Sequence, residues 1–266
     1  MRVPRIDLLP ASLASRVSAS QPPRTPEERM VDYIQAIFTD IVNLQPGQPL
    51  RIEAPSEYLP FVRLMVEEAY KNFGSGRVSV KLIEPELEAL KRKYDITSDF
   101  RYKELGIEEL RRRGAAFVTF DETNSPYEGA GLTEEEVAQL IRGIVPEIPA
   151  DIQELLSVDP REILEGNLSF RDGQPLRVSG SREHMPQILQ IVEYAYEHGS
   201  TLVDVEIDED RWGDLGIPFY MYAGDEVLVE VPPSYVARLQ EYLDTGAAIS
   251  LHLAANNSSP KALNSL

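Results

Sequence analysis

The pentapeptide Gly47-Gln48-Pro49-Leu50-Arg51 occurs twice, returning as Gly173-Gln174-Pro175-Leu176-Arg177. In the same register Glu57 returns as Glu183, Pro60 as Pro186, Val66-Glu67 as Val192-Glu193 and Ala69-Tyr70 as Ala195-Tyr196. A repeat this long constrains the fold strongly, because each copy should be one supersecondary or domain-sized unit. The chain has 266 residues, enough for two domains that each bury a core. The expected organisation is a Pro/Ser-rich arm over 1–26, a first repeat over 27–144, a linker over 145–160 and a second repeat over 161–266. Pro146, Pro149 and Asp159-Pro160 mark the linker.

Within the first copy, Ile34, Ile37, Ile41 and Leu44 fall at helical spacing, so a helix is expected over 27–44, with Thr25-Pro26 at its start. Gln45 to Gln48 forms a turn, and Leu50 to Ala54 alternates as a strand does. Leu59, Val62, Val66, Ala69 and Phe73 line one face of a second helix. A strand over 78–83, helices from Pro85 and over 107–113, and a strand over 115–120 complete the copy. The second copy repeats this order: a short opening helix over 151–156, a strand over 176–179, a helix over 184–197, a strand over 202–207, a helix over 233–243 and a strand over 249–253. It differs over 219–231, which reads as strand-rich where the first copy has a helix. Strands alternating with helices imply an α/β fold: two tandem related domains, each a small, mostly parallel sheet flanked by helices.

The net charge is -18 and there are no cysteines. A surface this acidic repels phosphate backbones and anionic membranes, so neither nucleic acid nor membrane is an expected partner. No apolar run approaches the roughly 18–20 residues needed to cross a bilayer. Without cysteine, disulfides, thiolate metal sites and cysteine nucleophiles are excluded, and a reducing, cytoplasmic setting is expected.

Chemistry-bearing patterns are scarce. His184, His198 and His252 form no paired metal spacing, and each is expected to serve structure. The acids Glu206, Asp208, Glu209, Asp210 and Asp214 fail the EF-hand pattern, since Trp212 and Phe219 stand where ligands belong. Phosphate-binding glycine loops and the GxSxG elbow are absent from the sequence. Open α/β sheets bind ligands beyond the carboxyl ends of their strands. Here that rule selects two loops, with Ser56, Glu57 and Tyr58 in one and Arg182, Glu183 and His184 in the other. Glu57 and Glu183 each precede a helix, where a carboxylate favours the positive end of the helix dipole without any catalytic role.

The stretch Leu44-Gln45-Pro46-Gly47-Gln48-Pro49-Leu50-Arg51-Ile52-Glu53-Ala54-Pro55, followed by Glu67-Glu68-Ala69-Tyr70, resembles the N-terminal domain of the M29 metalloaminopeptidases, the aminopeptidase T/S family. Glu109 to Ala116 resembles the segment that leads to that domain's last strand. The second copy is similar more loosely, with Asp172-Gly173-Gln174 in place of the turn and Gly180-Ser181 in place of Ala-Pro. The resemblance implies enzymes that remove N-terminal residues from peptides using two divalent metals, zinc or cobalt. These enzymes are usually dimers, and their Glu, His and Asp ligands lie in a C-terminal catalytic domain. No segment of this sequence resembles that domain, so no ligand carries over, and neither a catalytic residue nor a cofactor is expected within the chain. Three readings follow: the N-terminal region of a longer aminopeptidase, a stand-alone binding or assembly module, or a separate activity between the copies. A scaffold without its own peptidase site is favoured, with peptides or a second copy as partners. The run Asn256 to Pro260 reads as a loop leading elsewhere, which favours the first of these readings over the close second.

Overall fold

The computed structural model describes residues 24–121, 123, 125–142, 158–207, 221–225, 233–245, 250–253 and 261–262. Most of the arm and linker, the expected helix over 151–156 and Trp212 lie outside them.

The chain opens with α1 (Pro26–Ala36). Thr25 caps it: its hydroxyl accepts from the Glu28 amide at 3.2 Å while the Glu28 carboxylate accepts from the Thr25 amide at 2.8 Å. This reciprocal capping satisfies two amides that a helix start leaves open. The expected single helix to Leu44 is instead α1 followed by a π turn, Ile37–Ile41. The wider turn sends the adjacent side chains Ile37 and Phe38 into the core together. Asn43, at φ 47°, then reverses the chain.

β1 (Leu50–Pro55) follows, with Leu50, Ile52 and Ala54 fully buried on one side. A 3-10 turn, Ser56–Tyr58, leads into α2 (Leu59–Lys71). Phe61, Val62, Met65, Val66 and Ala69 bury its inner face, each large side chain contributing roughly 1.5–3 kcal/mol of transfer free energy. β2 (Val78–Ile83), α3 (Pro85–Lys93), α4 (Arg101–Arg112) and β3 (Ala116–Thr119) come next. α4 starts six residues before the helix expected at Ile107. Two further short helices, α5 (Pro126–Gly129) and α6 (Glu134–Ile141), complete this half.

The second half begins with another π turn, Glu162–Asn167, which sends Ile163 and Leu164 into a second core. β4 (Leu176–Gly180), a 3-10 turn (Arg182–His184), α7 (Met185–Glu197), β5 (Val203–Ile207), α8 (Pro233–Thr245), β6 (Ser250–Leu253) and β7 (Lys261–Ala262) follow. Residues 221–225, inside the stretch expected to be strand-rich, contain helical residues and no strand. Tyr222 and Ala223 pack there against the first core, so tertiary packing overrides their strand propensity.

The described strands form two sheets, ordered β2-β1-β3 and β5-β4-β6-β7. Among the described strands every pairing made by β1 and β4 is parallel, and β7 joins β6 antiparallel. The α/β class is therefore the one expected. Equivalent backbone bonds enter both sheets. Gly47 N–H donates to Gly74 O at 2.7 Å and Gly173 N–H to His198 O at 2.7 Å. The Gln48 side chain accepts from the Gln45 amide at 3.0 Å, and that of Gln174 from the Arg171 amide at 3.1 Å. Gly47 and Gly173 share φ 75°, which the turn requires and only glycine adopts without strain.

Two compact units result, and each takes a segment from the other half of the sequence. The first contains β1 to β3 and residues 221–225. The second contains β4 to β7 together with residues 85–109. Leu87, Leu90, Tyr94 and Ile96 accordingly pack on the second core.

Candidate functional site

In each sheet the chain leaves the central strand for a neighbour on one side, then places its third strand on the other. This is a topological switch point, and the crevice for a ligand lies at the carboxyl end of the central strand. Ser56, Glu57 and Tyr58 stand at the end of β1, and Arg182, Glu183 and His184 at the end of β4. Each set belongs to its own unit.

At the end of β1 the crevice is filled by aromatic rings. Tyr58 is 4% exposed, and its ring meets Tyr127 edge-on at 5.6 Å and Phe120 at 6.5 Å. Phe61 meets Phe120 edge-on at 5.5 Å. The Tyr127 hydroxyl donates to the Glu57 carbonyl at 3.1 Å. Glu57 itself is exposed and Ser56 half-buried. Burial pushes the Tyr58 hydroxyl pKa up, and the Glu57 charge adds to the shift. Tyr127 is pushed up by burial and then by Glu57. Both phenols therefore stay protonated at neutral pH and can donate hydrogen bonds, but they cannot serve as bases. Asp121 holds its own turn, accepting from the Thr123 amide at 2.9 Å and the Thr123 hydroxyl at 2.6 Å. Asp121 and Tyr127 were not among the sequence candidates. The Ser125-Pro126 helix start is the signal that would have brought Tyr127 to this edge.

At the end of β4, His184 takes the place of Tyr58 and is fully buried. Its Nδ1 lies 2.9 Å from the Ser181 hydroxyl. Gly180 is needed for close approach, because a Cβ there would lie 3.1 Å from the Leu253 side chain. Arg182 and Glu183 are half-buried beside it. His198 stacks on Tyr194 at 3.9 Å, and its Nδ1 lies 2.8 Å from the Tyr194 carbonyl. The two histidines thus pack within the fold.

Among the described residues a dense polar constellation lies elsewhere, on the α4/α8 side of β5. Asp204 is 3% exposed; it accepts from the Tyr102 hydroxyl at 2.9 Å and the Tyr242 hydroxyl, and pairs with Lys103 at 3.2 Å. Two residues along the strand, Glu206 pairs with Arg177 at 2.5 Å and Arg238 at 3.3 Å. The Glu241 carboxylate caps α4, accepting from the Arg101 and Tyr102 amides at 2.7 Å each. Sequence reasoning met Glu206 only within the acidic run that fails the EF-hand pattern and missed Asp204, because strand alternation places both on a face that reads as solvated. A shallow hollow of about 370 Å³ lies between Asp159, Gln190, Glu193, Tyr194 and Glu197. Glu193 and Glu197 already bond Lys93 and Tyr94 there.

Among the described residues no group of three or more His, Asp or Glu side chains could hold a metal ion. No donor set among the described residues fits the two divalent metals that the family resemblance implies. Among the same residues no helix is long and apolar enough to cross a membrane.

Residues 26–143 match the family model described as thermophilic metalloprotease (M29). No curated protein matches the chain. Among solved structures, the crystal structure of VinN aligns over 86% of this chain and 67% of its own, at 9% identity and a TM-score of 0.20. A score that low carries no argument about fold or function. The family match spans α1 through α6, every strand of the first sheet included, and relates that part of the chain to the M29 peptidases.

Proposed function

We propose that this chain is a scaffold region related to the M29 metalloaminopeptidases, built from two copies of one α/β unit and without a peptidase site of its own. The observation that carries the reading is the family match over residues 26–143. Supporting the two copies are the recurring pentapeptide, the paired π turns and the equivalent bonds that lead into β1 and β4. Supporting a scaffold role is the employment of the loop residues: Tyr58 and His184 fill the crevices, and the Glu57 carbonyl is held by Tyr127. The scaffold works in the cytoplasm, with peptides or a second copy as its partner. Catalysis in this lineage uses a separate domain that brings two zinc or cobalt ions.

Equilibrium dialysis of the purified chain against zinc and cobalt tests this. The expected result is no stoichiometric uptake of either ion. Two ions held per chain at micromolar affinity would overturn the reading.

A second reading, a peptide-binding module, is favoured by the position of Glu57 and Glu183 at the two switch points. A mixed peptide pool should then shift the amide resonances of 54–58 or 180–184 saturably. The absence of such a shift removes this reading.

A further inference from the structure

Residues 85–109 lie between β2 and β3 of the first sheet in sequence, yet they belong to the second compact unit. Across this segment only Phe100 is buried. Neither α3 nor α4 carries a buried residue. The side chains that α3 and its following turn bring to the second core, Leu87, Leu90, Tyr94 and Ile96, are all half-buried. In β4 and α7, by contrast, Leu176, Val178, Ile188, Ile191 and Val192 are fully buried.

The segment is held unevenly. At its α3 end the Lys93–Glu193 ion pair has both side chains more than a third exposed. The Tyr94 hydroxyl donates to Glu197 at 2.8 Å, and the Tyr94 ring lies 6.1 Å from that of Tyr196. Exposed pairs of this kind add little stability. The contacts at the start of α4 are denser. The buried Phe100 ring lies 5.4 Å from Tyr242, edge-on, and 5.9 Å from Tyr102. The Tyr102 hydroxyl donates to Asp204, and the Glu241 carboxylate accepts from the Arg101 and Tyr102 amides, which closes the first turn of α4. Segments that bury little open locally before the rest of a fold unfolds.

We propose that residues 85–109 form a strap that opens as one body, latched at Phe100, while both sheets stay folded. No residue between Pro85 and Asp99 is buried, so α3 has no anchor of its own and leaves with α4 when the latch opens. Opening uncovers the surface of α7 around Tyr196. The ends of the strap remain tied through β2 and β3, so it recloses on its own chain. The proposal does not rest on the M29 relation.

Hydrogen–deuterium exchange of the full chain in sub-denaturing urea, read by mass spectrometry, tests it. Peptides from α3 and α4 should exchange together, faster than those from β1 and β4. Their exchange should also depend more weakly on urea, because the opening exposes less surface than global unfolding does. Phe100→Ala should speed exchange of α3 and of α4 by the same factor, about tenfold or more. Glu241→Ala, which removes the cap on α4 from outside the strap, should act in the same direction and serves should Phe100→Ala fail to fold. Strap peptides that exchange at the rate and with the urea dependence of β4 overturn the proposal. So does either substitution that speeds α4 while α3 keeps its wild-type protection.

Discussion

Tyr102 donates its hydroxyl to Asp204 at 2.9 Å, tying the first turn of α4 to the buried side of β5. The same carboxylate takes Tyr242 from α8 and Lys103 from α4, so one 3%-exposed side chain holds three others. Removing it leaves two phenols without their acceptor and Lys103 paired with Asp99 alone. Asp204→Ala should cost about 3–5 kcal/mol of stability, as breakage of a buried pair does. Tyr102→Phe, which removes one bond to a charged acceptor, should cost about 1.5–3 kcal/mol. Urea unfolding measures both. A loss under about 1 kcal/mol for Asp204→Ala would mean the cluster holds nothing.

The same cluster sets an alkaline limit. The Tyr102 and Tyr242 hydroxyls are both pushed upward, first by burial and then by the Asp204 charge. A raised pKa means the folded protein holds its phenolic protons more tightly than the unfolded chain does. The associated stability is complete below the ordinary tyrosine pKa of about 10 and is lost as pH rises above it. Melting temperature should therefore fall steeply above that point in the wild type. In Tyr102→Phe with Tyr242→Phe the fall should be shallower. Identical slopes would contradict the assignment.

At the acid end the reporter is Glu136. Arg29 reaches it at 2.5 Å, and the Thr133 amide donates to it at 2.9 Å. These contacts, the Arg29 bond first, lower its pKa to about 2. With the folded value depressed, its contribution is present above the ordinary carboxyl range and is lost as pH falls towards 2. A carbon-13 NMR titration of the carboxyl should show this. Arg29→Met should return the titration towards the ordinary value, and an unchanged midpoint would sink the pairing.

Turn glycines separate backbone conformation from contact. A Cβ on Gly47 would meet nothing within 4 Å, so Gly47→Ala tests its φ of 75° alone. It should cost about 1–2 kcal/mol, and Gly173→Ala about the same, because the two turns share one geometry. Gly76→Ala should cost more than either, since its Cβ would stand 2.5 Å from the Gly47 carbonyl oxygen. Denaturation midpoints of the three variants check the order.

Much of the fold was legible because local signals agreed with the final packing. The alternation of Leu50, Ile52 and Ala54 marked β1, and the apolar face from Leu59 to Ala69 marked α2. The Thr133-Glu136 capping box also marks the start of α6. The π turns were not legible. Consecutive Ile37-Phe38 and Ile163-Leu164 look like ordinary helical core, and only the i+5 bonds reveal the widening. The early start of α4 was hidden because Arg101 to Gly106 lacks a clear apolar period and contains a helix-weakening glycine. At the candidate site, the loops after β1 and β4 followed from strand order alone. The rings of Phe120 and Tyr127 that fill the first crevice come from sequence-distant elements, which local patterns cannot join.

The central proposal is that this chain, related to the M29 peptidases over residues 26–143, has no peptidase site of its own. Its most direct test is turnover of leucyl-p-nitroanilide by the purified chain, loaded in turn with zinc and with cobalt. The account predicts no nitroaniline release above the metal-only control. Metal-dependent turnover that copurifies with the chain and is abolished by a chelator would contradict it.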